Sequence, residues 1–304
     1  MDELIAISSM EHAELAEFVA GIRAHTGVPV RLSRWSTSEL IERVLQGTAG
    51  EWDLLLGTAA TALLDPALAS HLRVLDALDC SVLPSQAVAT DRRWFSPSGF
   101  VPAFCYDPTV LAAQGLASPL SWEALCTPAW SQRIALPDPG RSGAGYLHLS
   151  ALLEQYGDGA WELLAHVAQL RPSISGSSTA PIDAVLEGRA WVGVSVSTAA
   201  TRAAAQHPSL HWCVPADARR YEFEVFGCSA ASLKTVEAIQ ALGWMLSPDA
   251  AAISRRYGKV VVGGVSSDTL ATADLTALHA LDAGNAKAAR CARWHTMFDT
   301  RPGP

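Results

Sequence analysis

Short apolar runs alternate with amphipathic stretches from the start of the chain. Residues 4–8 form the first run. Across 11–26, apolar side chains recur at Leu15, Phe18, Val19 and Ile22, one face of a helix, and Gly27 stops it. Residues 28–32 repeat the short run. Ser36 then stands three places before Glu39, a capping-box pair, with Leu40, Ile41, Val44 and Leu45 on one side of the helix it opens. A third run at 52–56 ends on Gly57 and Thr58. The alternation predicts an α/β fold whose parallel strands are covered by helices and bind ligands at their carboxyl ends. Those ends carry Ser8, Ser9, Arg34, Trp35, Ser36 and Thr58.

A second α/β unit is predicted after the run at 101–106, with a helix from Pro108 and a strand at 191–195. Residues 221–229 alternate as an extended segment, and 236–246 read as a helix with one apolar face. The densest signal lies at 134–146, where a short apolar strand meets Pro137-Asp138-Pro139-Gly140 and then Arg141-Ser142-Gly143-Ala144-Gly145-Tyr146. A helix opening at Ser142 would aim free N–H groups outward and add about half a positive charge. Gly143 and Gly145 lack Cβ atoms, so a ligand could approach the backbone. An ordinary serine-capped turn is the plainer alternative.

Composition narrows the functions. The chain has 304 residues, long enough for two domains or one large one, and its 49% hydrophobic and 17% charged residues suit a compact, well-buried α/β protein. Its net charge of −8 and scattered arginine pairs argue against nucleic acid as a partner. No apolar run approaches the ~20 residues of a membrane span. Met1 leads directly into the first strand without a leader, so the protein is expected either to be an exported mature domain with an added methionine or to stay in the cytoplasm. The six cysteines include no C-x-x-C pair, and six is a somewhat high number for an exported protein.

Catalytic and metal patterns are weak. There is no Gly-x-Ser-x-Gly elbow and no His-Glu-x-x-His, and His12, His25 and His71 fall in helical patterns. No catalytic residue, metal site or cofactor is assigned. Cys105 or Cys213 could serve an enzyme on this scaffold, but neither is followed by a recognisable base. Arg34 could pair with a phosphoryl or carboxylate group, with Arg141 and Arg220 as weaker candidates. Trp35 and Tyr146 could pack on a ligand, and Glu222 or Glu224 could present a carboxylate.

Several motifs in order carry a resemblance. They are Ser36-Thr37-Ser38-Glu39-Leu40, Ser121-Trp122-Glu123-Ala124-Leu125, Pro128-Ala129-Trp130, the 134–146 stretch, the loop at 175–181, Val192-Gly193-Val194-Ser195 and the segment at 257–264. Together they resemble bacterial extracellular solute-binding proteins of the ferric-iron, thiamine and phosphonate transporter group. The resemblance implies a type II periplasmic-binding-protein fold, two lobes with mostly parallel sheets flanked by helices and joined by two hinge strands. Lobe 1 would be 1–103 plus 224–304, and lobe 2 would be 104–223. It also implies a periplasmic monomer that closes on a solute and delivers it to the permease and ATPase of an ABC transporter. Iron binders of this group use adjacent tyrosines after a lobe 2 strand, where this chain has Ser195-Val196-Ser197-Thr198. Those hydroxyls suit a small anionic solute, a phosphonate or organic phosphate, held by Ser142, Gly143, Ala144, Gly145, Ser195 and Ser197. Ferric iron, thiamine and an enzyme on the same scaffold are the alternatives.

Overall fold

The computed structural model describes residues 3–63, 66–263 and 275–298. Its strands are β1 (Leu4–Ser8), β2 (Val30–Arg34), β3 (Leu54–Ala59), β4 (Phe95–Phe100), β5 (Pro102–Tyr106) and β6 (Ile134–Pro137). They continue as β7 (Ser173–Ser175), β8 (Val192–Val196), β9 (His211–Cys213), β10 (Arg220–Cys228), β11 (Val260–Val261) and β12 (Thr276–Ala277). The described residues divide into two compact units, with 3–99, 222–263 and 280–284 in the first and 100–221, 275–279 and 285–298 in the second, so the chain passes between them at Gly99/Phe100, at Tyr221/Glu222 and again near its end.

In the first unit the strands run in the order β11, β4, β10, β3, β1, β2. β1 pairs in parallel with β2 and β3, while β10 lies antiparallel to β3. All six residues of β3 are buried, as expected for a central strand covered on both faces. The helix His12–Thr26 buries Leu15, Phe18 and Ile22, and Gly27 ends it in the left-handed region at φ 73°. Gly21 leaves room for the Trp244 ring, which meets Phe18 edge-on at 6.2 Å; a side chain at 21 would collide with that indole.

The second unit has the sheet order β7, β6, β8, β5, β9. β6 is parallel to β7 and β8, and β5 is antiparallel to β8 and β9. Each sheet thus keeps a parallel portion and adds antiparallel strands next to the crossovers. The helix Gly143–Tyr156 is buried at every position from Ala144 to Leu152. Near the end of the chain, the helix Lys287–Phe298 groups with this unit and not with the first, where residues 224–304 were expected. Aromatic contacts explain it: Lys287 Nζ lies 5.1 Å from the Tyr146 ring, and the Arg293 guanidinium lies 4.4 Å from Trp161.

Candidate functional site

In the first unit, β1 and β3 deliver their carboxyl ends side by side. Ser8 is fully buried. Its hydroxyl donates to the Leu56 carbonyl at 2.5 Å and accepts from the Met10 N–H at 3.0 Å, so it fastens the turn instead of offering itself to a ligand. Ser9 is half-buried, donates to Thr58 Oγ1 at 2.9 Å and accepts from Thr37 Oγ1 at 3.2 Å. Three hydroxyls therefore meet here. Sequence reasoning omitted Thr37, whose only signal was its place directly after the cap. Arg34 is exposed and braces the same turn through Nε to the Met10 carbonyl at 3.0 Å. Trp35 is half-buried under the Arg43 guanidinium at 5.1 Å, and Ser36 accepts from the Glu39 N–H at 3.3 Å as its helix cap.

The second unit builds its candidate site on the turn after β6. Asp138 organises that turn: its carbonyl accepts from the Ser142 N–H at 2.8 Å, and its carboxylate accepts from the Gly140 N–H at 2.7 Å. His295 Nε2 lies 2.9 Å from the same carboxylate, so the helix Lys287–Phe298 holds the turn from outside. Ser142 makes no side-chain capping bond, and among the described residues the N–H groups of Gly143, Ala144 and Gly145 find no partner. Around Gly143 a Cβ would meet nothing within 4 Å. Arg141 directly precedes this turn, and its guanidinium packs against Gly176, where a Cβ would stand 2.8 Å from its Cζ. An uncapped first turn, open space and a cation thus stand together, and that is the chemistry of an anion seat.

Several expected contributors have other roles. Gly145 is bare for packing: a Cβ there would stand 2.5 Å from the Pro137 carbonyl, so it does not admit a ligand. Ala144 is buried in the helix. Tyr146 is 1% exposed, too deep to flank a ligand, and burial pushes its phenol pKa up. Ser195 donates to the Ser178 carbonyl at 2.6 Å, and Ser197 accepts from the Val101 N–H at 3.2 Å. Both are fully buried, so their hydroxyls stabilise backbone instead of lining a ligand surface. Arg220 pairs with Glu154 at 3.0 Å.

The two crossover carboxylates are also committed internally. Glu222 accepts from the Thr61 N–H at 3.0 Å and its hydroxyl at 2.5 Å. Glu224 accepts from Ser98 Oγ at 3.0 Å and from Lys259 Nζ at 2.5 Å. Lys259 also pairs with Glu14 at 2.5 Å. Burial drives the Glu14 carboxyl pKa well above its ordinary 4.5, although Lys259 opposes the shift. Burial alone would lower the Lys259 pKa, but the Glu14 and Glu224 charges hold it above 10.5. Two carboxyls face one ammonium, and burial makes the Glu14 carboxyl harder to ionise than an ordinary glutamate.

Sequence reasoning did not weigh His148. Its signal was a lone polar ring in the otherwise apolar run Tyr146-Leu147-His148-Leu149. Nε2 lies 2.7 Å from the Ser195 carbonyl, and the ring stacks on Phe104 at 6.0 Å and 2°. Burial holds its pKa down at about 4, so the ring is neutral and Nε2 carries the hydrogen that it donates. Cys105 and Cys213 lie on neighbouring strands, and burial pushes both thiols up, Cys213 to about 11, away from the thiolate that nucleophilic chemistry needs. Among the described residues no three His, Cys, Asp or Glu side chains converge as a metal site.

Two α/β units, each a helix-flanked sheet, define a type II periplasmic-binding-protein fold. The chain belongs to the bacterial extracellular solute-binding protein family, whose model matches residues 4–259. It is 26% identical over 179 residues to the phosphoglycerate transport regulatory protein PgtC of Salmonella typhimurium, covering 53% of this chain and 45% of that protein. The chain thus spans about half the length of the curated relatives it matches. Its fold is similar to AfuA of Actinobacillus pleuropneumoniae with exogenous fructose-6-phosphate bound, at TM-score 0.83 and 14% identity, covering 99% and 100% of the two chains. It is also similar to iron-bound HitA of Pseudomonas aeruginosa, at TM-score 0.81 and 17% identity, covering 98% and 99%.

Proposed function

We propose that this chain is the periplasmic solute-capturing component of an ABC-type importer, working with a membrane permease and an ATPase. Its two compact units are read as the two lobes. The solute is a small organic anion whose phosphate or phosphonate group sits on the helix start at 142–145. The observation that carries this reading is the first turn itself. Among the described residues three N–H groups lack partners, Ser142 is uncapped, Gly143 is open, and Arg141 directly precedes them in the chain. A dianion accepts several N–H bonds at once and neutralises both the helix end and the guanidinium. The names of two similar proteins, one a phosphoglycerate transport protein and one bound to fructose-6-phosphate, support the same chemistry. On the first unit, Ser9, Thr37 and Thr58 form a separate hydroxyl cluster that suits sugar or acid hydroxyls.

A thermal-shift and calorimetric panel tests the reading. It would contain 3-phosphoglycerate, fructose 6-phosphate, an aminoalkylphosphonate, inorganic phosphate, ferric citrate and thiamine. A phosphate- or phosphonate-bearing compound at 100 times its Kd should stabilise the protein by about 2.7 kcal/mol, and Arg141→Ala should abolish most of that gain. Stabilisation by ferric citrate or thiamine alone overturns the proposal.

A further inference from the structure

The helix Gly143–Tyr156, β6, β8 and the helix Lys287–Phe298 enclose a small cavity of about 20 Å³ in the second unit. Its lining residues are all buried, and most are apolar, including Leu149, Leu152, Leu164 and Val194. Two are not. Trp122 and His148 both line the cavity, and Trp122 Nε1 and His148 Nδ1 are buried side-chain atoms without a hydrogen-bond partner. Trp122 is 3% exposed and His148 2%.

We propose that this cavity is a binding site for one water molecule, which accepts from Trp122 Nε1–H and donates to His148 Nδ1. The chemistry of the two atoms selects the occupant. Indole nitrogen is a donor only. With Nε2 donating to the Ser195 carbonyl at 2.7 Å, the neutral His148 ring leaves Nδ1 as an acceptor only. A donor and an acceptor need a partner that is both, and water is the smallest molecule that qualifies. Size agrees, because a cavity of roughly 10–15 Å³ on this measure holds one water. The two rings are also direct neighbours, with centroids 5.5 Å apart at 72°. The Phe104 stack holds the imidazole plane, so the orphan edge cannot turn to another partner. No charged group lines the cavity, which excludes an ion.

The water has a structural consequence. It fixes the His148 tautomer, and the tautomer holds the Ser195 carbonyl at the end of β8, while Ser195 Oγ reaches the Ser178 carbonyl at 2.6 Å. One buried solvent molecule thus ties the Trp122 turn to both loops beside the helix start. This inference does not depend on the identity of the solute.

A high-resolution crystal structure of the wild-type protein and of Trp122→Phe tests it, together with long-range proton–nitrogen spectra of His148. The expected result is one isolated density peak within hydrogen-bond distance of both Trp122 Nε1 and His148 Nδ1. It disappears or loses most of its occupancy in Trp122→Phe, and the wild-type spectra show a neutral ring protonated on Nε2. An empty wild-type cavity, a peak that touches neither nitrogen, or a ring protonated on Nδ1 overturns the proposal. If Trp122→Phe does not fold, the wild-type density and spectra still decide it.

Discussion

In the first unit the buried polar cluster is ionic: Lys259 is wedged between Glu14 and Glu224, each at 2.5 Å, and Ser98 completes the Glu224 shell. In the second unit one buried cluster is neutral: His148, Trp122 and the Ser195 carbonyl, with one nitrogen on each ring unpartnered among the described residues. Two helix starts show a similar contrast. Ser36 caps its helix in the first unit, whereas Ser142 caps nothing in the second. Ser36 is spent on its own helix, while the start at 142–145 leaves three N–H groups unspent among the described residues. Unspent donors on a rigid scaffold are what a binding site consists of. Four experiments attack or refine that contrast.

The largest effect belongs to the ionic cluster. Lys259→Met removes the only cation and leaves two carboxyls together in a buried site. Breaking such a group by removing one partner costs about 3–5 kcal/mol, which a urea titration would read directly. Replacing Glu14 and Glu224 by Leu as well should recover much of the loss, since well-packed apolar substitutes are often neutral. If Lys259→Met matched the parent in stability, the ionic side of the comparison would collapse.

Stability against pH should show two opposite slopes. His148 has an ordinary pKa of 6.5 and is held at about 4 when folded. The unfolded chain therefore binds the proton first, and stability present above pH 6.5 is lost as pH falls toward 4, on the order of 3 kcal/mol in total. Glu14 runs the other way. Its folded pKa is raised, so its contribution is complete below 4.5 and is lost as pH rises from there. Lys259, Glu224 and Glu11 are the charges that act on it. His148→Phe should flatten the acid slope, and Glu14→Gln should flatten the rise-side loss. If either variant kept its slope, the group named would not be the source.

The strand–helix alternation was legible because apolar period and caps are local signals: Ser36 with Glu39 marked the helix Thr37–Leu45, and Gly27 marked the end of His12–Thr26. The helix at 143–156 was legible for the same reason. What the chain did not reveal was which polar groups would be spent. Ser195 and Ser197 look like free hydroxyls in sequence, and only the tertiary fold brings backbone partners to them, the Ser178 carbonyl to Ser195 and, beside the pairing of β5 with β8, the Val101 N–H to Ser197. Glu222 found Thr61, 161 positions away, and Lys259 found Glu14 across most of the first unit's chain. Long-range pairing also moved the last helix, since Lys287, Arg293 and Trp294 carry no local mark of the unit they join. Spacing locates an element; the partner of a polar atom is a tertiary fact.

Arg141 sharpens the comparison at the candidate site. Its guanidinium packs over Gly176 without an ion pair in the structure, so Arg141→Ala should leave urea stability nearly unchanged. Its effect should fall on affinity. Losing a hydrogen bond to a charged group costs about 1.5–3 kcal/mol, roughly a tenfold to hundredfold weaker Kd. Arg34→Ala is the matched variant on the first unit. It loses a bond to the Met10 carbonyl and should cost stability more than Arg141→Ala does. Equal losses of affinity from the two, with no difference in stability, would erase the distinction between spent and unspent donors.

The smallest effect is the most discriminating, because it compares two serines at the same helix position. Ser36 accepts from the Glu39 N–H at 3.3 Å, so Ser36→Ala removes a working cap and should destabilise the protein by about 1 kcal/mol. Ser142 makes no capping bond, so Ser142→Ala should change urea stability by only a few tenths of that amount. Its hydroxyl is spare, and in the proposed complex it donates to the bound phosphate, so the same substitution should weaken phosphate-ligand affinity by about 1 kcal/mol, or fivefold. The two serines thus predict opposite columns in one small table of stability and affinity, measured by urea titration and calorimetry on the same preparations. Should Ser142→Ala lose stability as Ser36→Ala does, the helix start of the second unit would be capped after all. Its N–H groups would then have no surplus with which to hold an anion.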